Sequence, residues 1–261
     1  MDPPQKRGRR WLAIAEVLCV FIATSSLLMW CSVPNVSALR SAQPASTAFI
    51  DLRRDEAAQA GKPFALEWTW KPLRSISPLL RAAVVFAEDI HFYEHDGVDW
   101  DAVEKAVIAN WDEGHFAIGG STITQQTAKN LFLSPARSML RKGREMLIAF
   151  RLEDSLSKER ILEIYLNIVE WGDGVFGAEA ASRHWFHRSA ASLTAVQAAR
   201  LAIALPNPRT RAPDQRSHDL NEKAIRIVRL LRSHGLISRG DRDAALNELG
   251  VAPTPSQANP H

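Results

Sequence analysis

The chain has 261 residues, 46% of them hydrophobic and 23% charged, which leaves room after an N-terminal segment for one core of roughly 200 residues. A formal net charge of +3 is too small to mark a nucleic-acid binder. The only cysteines, Cys19 and Cys31, lie near one end, so residues 32–261 can hold no internal disulfide, zinc ribbon or cysteine nucleophile.

Trp11 to Trp30 is an apolar run that would reach ~30 Å as a helix, the thickness of a bilayer core. Lys6, Arg7, Arg9 and Arg10 precede it, which points the N-terminus to the cytoplasm and the rest of the chain to the far side of the membrane. A cleaved signal peptide is the rival reading, but the apolar run exceeds the usual signal core. The expected organisation is a basic tail over 1–10, a transmembrane anchor over 11–30, a stalk over 31–62 and a folded domain over 63–240. A C-terminal tail covers 241–261.

Within the domain the pattern is helical. Ser77 and Pro78 open a helix through about Ile90, and a second runs from Asp99 or Asp101 to Trp111. Asp112 to Gly120 reads as a loop. Ser121 is expected to cap a helix to Phe132, and Pro135 breaks the chain before a helix from about Arg137 to Ser155. Ser157 caps a helix whose buried stripe is Ile161, Ile164, Tyr165 and Ile168, and Thr194 with Gln197 forms a capping box before a helix to Leu205. A last helix spans Leu220 to Ser233. Ala65 to Trp70 is the best candidate for a short strand, so the fold class is mainly α.

Two stretches carry chemistry. Glu88 lies near the C-terminal end of its helix, where the helix dipole disfavours an acid, which points to a role other than helix stability; ordinary surface salt bridging of Glu88 and Asp89 is the competing reading. Gly119-Gly120-Ser121-Thr122-Ile123-Thr124-Gln125-Gln126 packs more side-chain hydrogen-bonders into a helix start than capping requires, and its glycines allow close approach of a substrate. From Lys129 to Arg151 the cations Lys129, Arg137, Arg141, Lys142, Arg144 and Arg151 face one acid, Glu145, a composition suited to phosphate or to anionic headgroups. A plain intrahelical ion pair with Arg141 and Lys142 also accounts for Glu145.

Two decoys are set aside. His91 and His95 are four apart, but Gly97 close behind makes His95 a strut of a turn, and no metal site is assigned. Ser155-Leu156-Ser157-Lys158 has the Ser-x-x-Lys spacing of penicillin-binding acyltransferases, yet no Lys-Thr-Gly accompanies it and Ser157 is needed as a helix cap.

Together, Glu88-Asp89-x-x-Phe92-x-x-His95-x-Gly97, Gly119 to Gln126 with Lys129-Asn130, Arg141-Lys142-x-x-Glu145, Tyr165-Leu166-Asn167 through Gly177, and Ala198 to Pro208 resemble, in order, the motifs of the peptidoglycan glycosyltransferases of glycosyltransferase family 51. The closest type is the monofunctional, membrane-anchored biosynthetic one, with the likeness running from about Pro63 to Ile237. The resemblance implies a lysozyme-like helical domain with a head and a small jaw lobe behind one transmembrane helix. It implies polymerisation of lipid II into β-1,4-linked glycan with release of undecaprenyl pyrophosphate, at the periplasmic side of a bacterial inner membrane.

By this likeness Glu88 is the general base and Glu145 the second catalytic carboxylate, with Asp89, Ser121, Gln125, Gln126, Lys129, Arg137 and Lys142 binding substrate. Either Lys223 or Arg226 takes the place of an arginine by the donor phosphate. No cofactor is obligatory, and a divalent cation, Mg or Mn, at the pyrophosphate is an option. Expected partners are lipid II, the nascent glycan strand, the membrane and proteins of cell-wall synthesis or division, with no nucleic acid. The alternative is a membrane-anchored, lysozyme-like glycan-cleaving enzyme, because a glutamate in a helical groove serves both reactions.

Overall fold

The structure, a computed structural model, describes residues 14, 16–21, 23–24, 29–113, 120–135 and 138–251. Helices dominate it: α1 (Ala48–Gln59), α2 (Pro78–Glu88), α3 (Trp100–Glu113), α4 (Ile123–Phe132), α5 (Met139–Ser155), α6 (Lys158–Ile168), α7 (Ala178–Phe186), α8 (Ala195–Ala204), α9 (His218–Ser233) and α10 (Arg239–Glu248). Among the described residues no helix is long and apolar enough to cross a membrane. The basic tail expected over 1–10 lies outside those residues, and the anchor expected over 11–30 lies only partly within them, at 14, 16–21, 23–24 and 29–30.

The core forms where apolar stripes meet. In α2, Leu80, Ala83 and Val84 are buried against α8, whose small residues Ala198, Ala199 and Ala202 let the two helices approach closely, and Ala224, Ile225 and Val228 of α9 close the group. A second layer has α4 lying between α5 and α6, with Ile123, Ile148, Leu152 and Ile161 fully buried. Each such aliphatic side chain contributes about 1.5–3 kcal/mol by leaving water.

Helix starts follow the caps. Ser77 accepts from the amide of Leu79 with Pro78 in the first turn, Ser157 accepts from Arg160, and Thr194 with Gln197 closes a capping box. One cap is displaced from expectation: Thr122, not Ser121, opens α4, because its hydroxyl accepts from the Gln125 amide while Gln125 returns a bond to the Thr122 amide. The helix after Pro135 likewise starts at Met139, capped by Ser138.

The stalk expected over 31–62 is instead packed onto the domain. Val36, Leu39 and Ile50 are buried, and Thr47 caps α1. Arg160 donates to the carbonyls of Leu39 and Ala42, and Arg53 grips Glu170 through Nε and Nη2, the latter at 2.7 Å. Its few apolar residues give no sustained period because polar anchors, not an apolar stripe, fix the segment. The tail expected from 241 onward also needs correction: α10 covers Arg239–Glu248, with Ala245 and Leu249 buried in the core.

A small sheet of order β1-β3-β2 completes the fold, with β1 (Glu67–Trp68) parallel to β3 (Val175–Phe176) and β2 (Glu170–Gly172) antiparallel to it. Only β1 falls in the stretch expected to be extended.

Candidate active site

The site is built where α2 ends. Asp89, in extended conformation, stops the helix, and its buried carboxylate accepts from the amide of Ile123 at 2.9 Å and lies 3.1 Å from His95 Nε2. The Gly97 amide donates to Nδ1 of His95, so the proton sits on Nε2 and points at Asp89. Thr122 in turn donates its hydroxyl to the Gly97 carbonyl at 2.6 Å. Asp89 and His95 therefore lock the two motif segments together, and both also stand in the lining of the groove that holds Glu88.

One residue earlier, Glu88 lines a groove of about 900 Å³. The end of α2, the start of α3, Gly120 to Thr122, Phe150 of α5 and Arg226 of α9 also line it. Glu88 Oε2 accepts from Gln126 Nε2 at 2.8 Å, and Gln126 Oε1 accepts from the fully buried Tyr165 hydroxyl at 2.9 Å. Among the described residues Glu88 Oε1 has no protein partner. Burial pushes the Glu88 carboxyl above its ordinary value and the neighbouring Asp89 charge adds to this, while Gln126, Lys129 and Arg211 oppose it.

Glu145 is buried on α5, held by Arg141 Nη1 at 2.6 Å and by Lys142 Nζ at 2.5 Å. It does not line the groove itself. Lys142 also donates to Ser121 Oγ at 2.8 Å, and Ser121 does line it, so Glu145 reaches the groove through Lys142 and Ser121. Lys129 lies within the field of both carboxylates: burial lowers its pKa first, Glu145 and Glu88 raise it, and Arg141 and Lys142 lower it.

Not every expected site residue converges. Gln125 is buried, with its side-chain oxygen engaged in the capping box with Thr122. Arg137 lies outside the described residues. The basic block also divides, since Arg144 donates to the Ser32 carbonyl and Arg151 stacks 4.8 Å from the Trp30 ring centroid, both toward the N-terminal segment. Lys158 of the Ser-x-x-Lys spacing bonds Glu153 and the His95 carbonyl. Of the pair Lys223 and Arg226, it is Arg226 that lines the groove. Sequence reasoning missed Arg211, whose only signal is that it is the second cation after the Pro206-Asn207-Pro208 helix stop, and it read Tyr165 as part of a buried stripe and of a motif rather than as a partner of Gln126 at the site.

A family profile described as Transglycosylase matches residues 57–232, which include the groove, its carboxylate and the cations around it. The chain belongs to the transglycosylase family. This transglycosylase is 43% identical over 239 residues to the biosynthetic peptidoglycan transglycosylase of Bordetella avium (strain 197N), covering 87% of this chain and 96% of that protein. It is 44% identical over 245 residues to the protein of the same name from Bordetella pertussis (strain Tohama I), covering 89% and 98%. Against that of Azoarcus sp. (strain BH72) the identity is 49% over 203 residues, 77% of this chain and 86% of that protein.

Proposed function

We propose that this transglycosylase polymerises lipid II into β-1,4-linked glycan with inversion at the anomeric carbon, Glu88 acting as general base and undecaprenyl pyrophosphate leaving. The enzyme class, peptidoglycan glycosyltransferase, rests on family membership and on the names of relatives alike over most of their length. The residue roles rest on the site. One observation carries them: Glu88 stands in the groove with one oxygen held by Gln126, its other oxygen free of protein partners among the described residues, and the cation Lys129 close by.

In the reaction, the 4-hydroxyl of the acceptor GlcNAc attacks the anomeric carbon of the growing chain. The new carbon–oxygen bond forms as the bond to pyrophosphate breaks, and the hydroxyl proton passes to Oε1 of Glu88. A carboxylate whose pKa is raised toward the working pH is suited to that transfer. The electron pair leaves on pyrophosphate, where Lys129, Lys142 and Arg137 offset the developing charge, and Arg226 of the groove wall takes the place by the donor phosphate. Glu145 holds Arg141 and Lys142 in position. Pyrophosphate is a stable anion, so no carboxylic acid need protonate it.

Ser121 and Gln126 border the substrate, Ser121 directly and Gln126 by orienting Glu88. In this reading α2, α4, α6, α8 and α9 form the head of a lysozyme-like domain and α3 with the start of α5 the jaw, the groove lying between them. Lys6 to Arg10 and Trp11 to Trp30 anchor the enzyme in the inner membrane with the groove on the periplasmic side, within reach of other cell-wall synthesis proteins. No cofactor is obligatory in this reading; a divalent cation, Mg or Mn, is an option at the pyrophosphate, and no step runs through it.

Incubation with lipid II and, separately, with finished glycan tests this reading. Polymer and undecaprenyl pyrophosphate from the first and no change in the second are expected; glycan loss without polymer would instead identify a glycan-cleaving enzyme.

A further inference from the structure

Lys129 meets Glu88 from α2 and Glu145, Arg141 and Lys142 from α5. Among the described residues none of the carboxylates lies within ion-pairing distance of its ammonium, and two of the four charged neighbours repel it. What covers Nζ instead is the ring of Phe49 on α1, 5.6 Å from nitrogen to centroid, inside the ~6 Å range of a cation–π contact.

Phe49 is fixed on both sides. Ile50, next in sequence, is fully buried, Thr47 caps the helix, and Arg53 one turn on clasps the buried carboxylate of Glu170. Most of α1 precedes the matched residues 57–232, so this contact reaches the site from outside the family segment.

We propose that Phe49 is a positioning residue for the reaction: its ring keeps the Lys129 ammonium protonated and aimed toward the departing pyrophosphate. The inference rests on the role given to Lys129 above. Burial and the two flanking cations favour loss of the Lys129 proton, and the electron-rich ring face favours its retention.

The test uses the full chain and lipid II turnover across pH, with Tm recorded for each variant. Phe49→Leu is expected to lower kcat about two- to fivefold with little change in KM, the worth of an exposed-to-half-buried cation–π contact. Its alkaline limb moves to lower pH, because the lysine gives up its proton more readily. Phe49→Tyr keeps the ring and restores both, and Asp55→Ala, an exposed change on the same helix, leaves kcat unchanged. A wild-type kcat and alkaline limb in Phe49→Leu, with Lys129→Ala inactive, would overturn this inference alone. An equal loss in the Leu and Tyr variants together with lowered Tm would also overturn it, as a purely structural effect. Full turnover in Lys129→Ala would remove the reading beneath it.

Discussion

The side-chain amide of Gln126 donates to Glu88 at 2.8 Å because the Tyr165 hydroxyl, 2.9 Å from Gln126 Oε1, fixes which way that amide faces. Without the hydroxyl the amide is free to turn its carbonyl toward the carboxylate, losing a hydrogen bond to a charged group, worth about 1.5–3 kcal/mol. Tyr165→Phe should therefore lower kcat about tenfold or more. The acid limb of the pH profile should move up, since Gln126 is what most holds the Glu88 pKa down. A pH–rate profile at saturating lipid II checks both.

Glu88 itself makes a stability prediction. Its folded pKa lies above the ordinary glutamate value of 4.5, chiefly through burial. A carboxyl raised in this way contributes stability that is fully present below its unfolded pKa and is lost as pH rises through the folded pKa. Glu88→Gln should accordingly melt at a higher temperature than the wild type at neutral pH, with the difference closing by about pH 4. Thermal melts of both proteins at the two pH values test this.

Glu145 should behave oppositely. It is a buried anion between two cations, Arg141 at 2.6 Å and Lys142 at 2.5 Å, and its removal leaves both without their counter-charge. Both cations keep some solvent access, so the loss in Glu145→Gln is about 1–3 kcal/mol, below the figure for a fully buried pair. Denaturant unfolding measures it. Two glutamates called catalytic on the same likeness are thus expected to shift stability in opposite directions.

The hairpin beside α6 depends on Gly177, with φ 82° and ψ 154°, a region open essentially to glycine alone. A Cβ there would stand 2.7 Å from the Asn167 carbonyl oxygen, and that carbonyl also accepts from the Trp68 indole. Gly177→Ala should cost about 2–4 kcal/mol, read from the shift in denaturant midpoint.

The helices α2, α6, α8 and α9 were legible because their caps and apolar stripes are local signals: Ser77-Pro78, Ser157, the Thr194–Gln197 box and the Ile161, Ile164, Ile168 stripe all act within one helix. What the sequence hid is held across the chain. The α1 segment looked like a linker because its anchors, Arg53 to Glu170 and Arg160 to the Leu39 carbonyl, are more than 110 residues apart in sequence. Strands of two or three residues carry no period to read. At the site, residue types pointed to Glu88 and its cations, but not to which polar groups were already occupied. Gln125 and Gln126 are adjacent and alike, and only folding commits the first to a helix cap and the second to the carboxylate.

The central claim is that the Glu88 carboxylate takes the acceptor proton. Lipid II turnover by wild type and Glu88→Gln, side by side and with folding verified for both, tests it most directly. The account predicts a loss of at least about a hundredfold in kcat with the fold intact, the scale of a removed general base. A folded Glu88→Gln enzyme that still polymerises lipid II at near wild-type rate would contradict it.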